Sequence, residues 1–179
     1  MRFTIAVLAL GMTCGSAFAQ HQPYAGMETR AIKTLSDQQI ADLEAGNGMG
    51  LALAAELNGY PGPRHAIDLA DQLRLTADKI SRLMALYGAM KTETIPIGAT
   101  LIAQERSLNS EFADHTVTLA SLQATTQQIG ETQAALRAAH LKYHLATVAI
   151  LTPEQVKRYG ELRGYADSAA PNHQHRPKQ

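Results

Sequence analysis

His140 and His144 stand four residues apart in a stretch whose apolar positions repeat with a helical period. On an α-helix that spacing stacks both imidazoles on one face, where they can share a metal ion. Zinc, copper and nickel all accept neutral imidazole, yet two ligands do not complete a coordination shell. Folding the chain back on itself about residue 116 sets Glu93 opposite His140 and Met90 near His144. Those two, or His65 from an earlier segment, are the candidates to finish the site. The more ordinary reading is a histidine pair bonded to a carboxylate or wedged into a subunit interface. His173 and His175 form a second, weaker pair in a polar tail of the kind that is usually just solvated.

Other chemistries lack their residues. The only cysteine, Cys14, lies in an apolar leader, and the residue after His140 is Leu141, so no H-E-x-x-H motif exists. No G-x-S-x-G is present, and no carboxylate spacing singles out an acid–base pair, so an enzyme is not expected. The run Gly46-Asn47-Gly48-Met49-Gly50 lacks the preceding strand that a phosphate loop needs, and it reads instead as a sharp turn between helices. Met84 and Met90 are possible soft-metal ligands but read better as core filler. Glu105 falls on an apolar helix face, where an ion pair with Arg106 or Arg137 is expected. Sixteen Lys+Arg balance sixteen Asp+Glu, which leaves no basic footprint for nucleic acid.

These side chains must be positioned by helices. Thirty alanines and 21 leucines against four valines, three phenylalanines and no tryptophan favour an all-α chain over a sheet. Residues 1–19 read as a signal peptide: Met1-Arg2, an apolar run too short to span a bilayer, then Ala17-Phe18-Ala19 for cleavage. Export to a bacterial periplasm is expected, with no membrane span after cleavage and no disulfide in the mature chain. Residues 20–63 form an N-terminal extension with short helices, 64–165 the main helical domain, and 166–179 a disordered tail.

Helix punctuation is dense. Ser36 and Gln39 form a capping box, and Gly46 ends the helix they open. A short helix over 65–73 precedes Thr76, which suits an N-cap, although Lys79 cannot close its box. The apolar period then runs over 77–112, with a kink or break expected at Pro96, and a turn near 114–118 leads to a second long helix over 119–150. Leu151-Thr152-Pro153-Glu154-Gln155 opens the last helix with cap, N1 proline and box together. The expected architecture is an elongated antiparallel hairpin with short flanking helices, four main helices in all. The stripe Leu122, Ile129, Leu136, His140, Tyr143 and Thr147 is too thin to be buried within two helices, so a second copy of the chain is expected to cover it.

Two Leu-Thr-x-x-Gln-like segments, at 75–79 and 151–155, flank this hairpin behind an export signal. The second matches in full; in the first, Lys79 replaces the glutamine, and Leu35 to Gln39 carries a serine version. In this the chain resembles the Spy/CpxP, or LTxxQ, family of periplasmic stress chaperones and heavy-metal resistance or sensor proteins. The resemblance implies a non-enzymatic, cradle-like homodimer that binds non-native proteins or an envelope sensor protein. The alternative it implies is a periplasmic heavy-metal sensor or buffer. No cofactor is required on either reading. On the second, zinc, copper or nickel would sit at His140 and His144, with His65, Met90 and Glu93 as weaker candidates. The family's best-known chaperone presents a basic cradle, whereas this chain is neutral overall.

Overall fold

The computed structural model describes residues 23–165; the signal-peptide and tail readings fall outside them. Among the described residues the regular structure is entirely helical. A short 3-10 turn, Met27–Thr29, is followed by α1 Asp37–Glu44, α2 Leu53–Glu56, α3 Pro63–Asp68, α4 Ala77–Ala113, α5 Leu119–Val148 and α6 Pro153–Leu162. Helices α4 and α5 pack along each other as the expected antiparallel hairpin. No helix among the described residues is long and apolar enough to cross a membrane.

The caps form as the sequence dictates. Ser36 and Thr152 each complete a capping box, while Thr76 accepts from the Lys79 backbone N–H alone. Lys79 spends its side chain elsewhere: Nζ donates to Gln155 Oε1 at 2.7 Å. Gln155 in turn donates to the Leu73 carbonyl at 3.1 Å. The two Leu-Thr segments, far apart in the chain, therefore meet through their fifth residues. Helix α3 is shorter than the expected 65–73, because Leu69 leaves helical geometry and the chain turns through Arg74 at φ 49°.

Helix α4 runs through Pro96 without a break. The proline removes a hydrogen bond to the Thr92 carbonyl, but Thr92 and Pro96 both lie on the exposed face, where water can replace the donor. The opposite face carries Thr94 and Gly98, and here the N-terminal extension packs closely. A Cβ on Gly98 would stand 2.6 Å from the Leu43 carbonyl oxygen, and one on Gly46 2.7 Å from Thr94 Oγ1. Gly46 also sits at φ 62°, in the left-handed region that glycine reaches without strain.

One apolar cluster joins Ile32 and Leu43 of the extension to Leu101, Ile102, Ile129 and Leu136 of the hairpin. A second joins Ala66, Leu83, Ile150 and Leu151 where the hairpin meets α3 and α6. Within the chain, Ile32 and Leu43 of the extension pack in one cluster with Ile129 and Leu136 of the α5 stripe, and His140, Tyr143 and Thr147 of that stripe are also buried. The apolar face of α4 is also narrower than its sequence period: Met84 and Phe112 are 59% and 53% exposed, so Met84 is no core filler.

Candidate functional site

Between the two apolar clusters, the buried face of α5 turns polar. Ala139, His140, Tyr143, His144 and Thr147 follow one another on it, with His140 2% and His144 8% exposed. The extension reaches this face as bare backbone at two glycines. A Cβ on Gly62 would stand 2.9 Å from His144 Cε1 and 3.0 Å from its Nε2. A Cβ on Gly48 would stand 3.6 Å from His140 Nδ1. Gly62 has an ordinary φ of −82°, so space and not backbone conformation demands glycine there.

The two rings are prepared differently. His144 Nδ1 lies 2.6 Å from the Tyr60 carbonyl oxygen. A carbonyl only accepts, so Nδ1 carries a proton and Nε2 is the nitrogen left to meet a ligand. Glu56 Oε2, at 3.7 Å from the same Nδ1, is beyond hydrogen-bond reach. His140 Nε2 is fully buried and has no hydrogen-bond partner. Burial pushes the His140 imidazole below its ordinary pKa, and the nearby His144 and Lys91 add to the effect. His140 is therefore neutral at pH 7, the form that ligates metals.

Glu56 closes the site from the extension. Its Oε1 accepts from the hydroxyls of Tyr159, in a short contact, and of Tyr165 at 3.2 Å, and its Oε2 accepts from the Gly62 N–H at 3.3 Å. Arg163 Nε stands 3.6 Å from Oε1. Burial and the adjacent carboxylate push the Tyr159 phenol far above its ordinary range, so it stays a donor. This cluster ties α2 to α6 and fixes the backbone that lies on His144.

The resulting pocket encloses about 230 Å³. His140, His144, His65, Met90 and Met49 line it, with Glu56, Arg64, Arg163 and Tyr165. Two of the weaker candidates, His65 and Met90, are thus brought to the histidine pair. Glu93 is not: its carboxylate accepts from Lys142 Nζ at 2.6 Å and from the Tyr143 hydroxyl at 2.9 Å, outside the pocket lining. Hairpin geometry placed it on the right helix but one residue round the turn. Among the described residues no group of three or more His, Cys, Asp or Glu side chains is placed to hold a metal ion. The buried Glu105 accepts from the Thr34 hydroxyl at 2.8 Å, not from Arg106 or Arg137; its partner comes from the extension.

Sequence reasoning missed Glu56, the Tyr60 carbonyl, Gly48, Gly62 and Met49. Only Glu56 left a trace, as the one carboxylate inside the apolar run 51–57. Comparison with known proteins finds no match among family models, curated proteins or solved structures.

Proposed function

We propose that this chain is a non-enzymatic, exported helical protein that binds a transition metal ion through His140 and His144. The observation that carries the reading is His140 Nε2, a fully buried ring nitrogen with no partner beside a small pocket. An unsatisfied buried polar atom is costly, and a bound cation removes that cost. The neighbouring His144 supports it, because a carbonyl holding Nδ1–H is the usual outer partner of a metal-ligating imidazole. Two imidazoles make an open site suited to zinc, copper or nickel, with remaining positions left to thioether, His65 or water. The resemblance to the LTxxQ family and the leader-like sequence of residues 1–19 support reading it as a periplasmic sensor or buffer.

The test is calorimetric titration of zinc and copper into chelator-stripped protein. Wild type is expected to bind one equivalent with affinity on the order of micromolar or tighter. If His140→Ala/His144→Ala gives the same heats, the reading fails.

A second reading, chaperone-like binding of non-native proteins, is favoured by exposed apolar side chains. Phe112 and Leu119 flank the hairpin turn at 53% and 71% exposure, and Leu145 is 59% exposed. On this reading substoichiometric protein suppresses aggregation of a reduced client, and Phe112→Ser/Leu119→Ser abolishes the effect. Unchanged light scattering at equimolar protein would remove it.

A further inference from the structure

We infer that the metal is monovalent copper, held by His140, His144 and the thioether of Met90; the inference rests on the metal-binding reading above. The donors that line the pocket decide it. Glu56 is the one carboxylate among the lining residues, and both its oxygens already accept hydrogen bonds, from Tyr159 and Tyr165 at one and from the Gly62 N–H at the other. A hard dication therefore finds no free anionic ligand there. His65 lines the pocket too, but among the described residues no group of three or more His, Cys, Asp or Glu is placed to hold a metal ion, as a closed four-coordinate zinc site requires.

What remains is soft. Met90 is 7% exposed and lines the same pocket from α4, facing the helix that carries the histidines. Imidazole suits copper, and a thioether selects its reduced state, which is content with two or three ligands. Charge points the same way. Arg64 and Arg163 line the pocket, and repulsion from a guanidinium is half as large for a monocation as for a dication. His140 Nε2, buried without a hydrogen-bond partner, is a nitrogen that a ligand can occupy.

The experiment uses the full chain carrying Cys14→Ala, so that every remaining sulfur belongs to methionine. Copper is kept reduced with ascorbate under nitrogen, and its affinity is read by competition with bicinchoninate; zinc affinity is read by competition with a chromogenic chelator. Met90→Leu conserves volume and is expected to weaken copper binding by about tenfold or more, with zinc affinity held to within about twofold. X-ray absorption at the copper edge is expected to show a sulfur neighbour in the unsubstituted Met90 protein and none after Met90→Leu. Copper affinity unchanged by Met90→Leu, or a sulfur neighbour that survives it, overturns the inference. Copper and zinc binding that both depend on the histidines but not on Met90 would leave the metal-binding reading standing and remove only this one. Binding of neither metal in a histidine-dependent way would remove both.

Discussion

His144 Nδ1 and the Tyr60 carbonyl oxygen stand 2.6 Å apart, linking the second long helix to the N-terminal extension across 84 residues of sequence. That contact fixes the ring's tautomer and its rotation together. It also explains why the site cannot be built from the hairpin alone. The imidazoles belong to α5, but the surface that buries and orients them is the backbone at Gly48, Tyr60 and Gly62.

The same burial makes stability depend on pH. The folded His140 pKa lies below its ordinary value, so protons bind the unfolded chain more readily. The cost of burying a neutral His140 is absent above the ordinary histidine pKa. As pH falls through that value towards the folded pKa, stability is lost. The neighbours that act on the ring, His144 on α5 and Lys91 on α4, push its pKa in the same direction as burial. Thermal melts of metal-free protein should give a lower Tm at pH 5 than at pH 7.5, with a shallower dependence in His140→Gln. Identical profiles would contradict the assignment.

Gly98 and Gly88 should respond oppositely to alanine. At Gly98 a Cβ meets the Leu43 carbonyl at 2.6 Å, and backbone there cannot step aside without moving α1. Gly98→Ala should cost about 1–3 kcal/mol in urea unfolding. At Gly88 nothing lies within 4 Å of the added carbon, so Gly88→Ala should stabilise α4 by about 0.5–1 kcal/mol.

Much of this fold is legible in the sequence because its signals are local. Ser36, Thr152 and Pro153 act on the residues beside them, and the His140–His144 spacing needs only helix geometry. The extension's placement is not legible, since nothing in the apolar period of α5 says which segment will cover it. A second copy and residues 32–62 would meet the same stripe equally well, and the sequence carries no sign that Gly48 and Gly62 approach its two histidines. Glu105 shows the same limit. Its burial could be read from its helical face, but its partner, Thr34, lies 71 residues away and is neutral. Pro96 was misleading for the opposite reason: its local rule holds, yet an exposed carbonyl at Thr92 needs no protein donor.

The Tyr159–Glu56 bond should be among the more valuable single contacts. Tyr159 is 1% exposed and Glu56 7%, so removing the hydroxyl leaves a buried carboxylate short of a donor. Tyr159→Phe should lower the unfolding free energy by about 1.5–3 kcal/mol. Tyr165→Phe, on a more exposed ring at 3.2 Å, should cost less. Equal, negligible losses in urea titrations would show that Glu56 does not depend on these donors.

Gln155 and Gln39 both close capping boxes, but only Gln155 also accepts from Lys79 and donates to the Leu73 carbonyl. Gln155→Ala should therefore cost about 1–2 kcal/mol and Gln39→Ala about 0.5–1 kcal/mol. A Lys79→Met/Gln155→Ala double variant should fall short of the summed single losses, measured as a double-mutant cycle. Additive losses would place the two residues in independent roles.

Both imidazoles are proposed to ligate the metal through Nε2. Long-range proton–nitrogen NMR of the histidine side chains at pH 7.5 reads this directly. The metal-free protein should show His144 with a proton on Nδ1 and His140 neutral. One equivalent of zinc, or of copper kept reduced, should then shift the Nε2 resonances of both rings together while His144 Nδ1 remains protonated. Spectra of His140 and His144 that stay unchanged at a full equivalent of either metal would contradict the account.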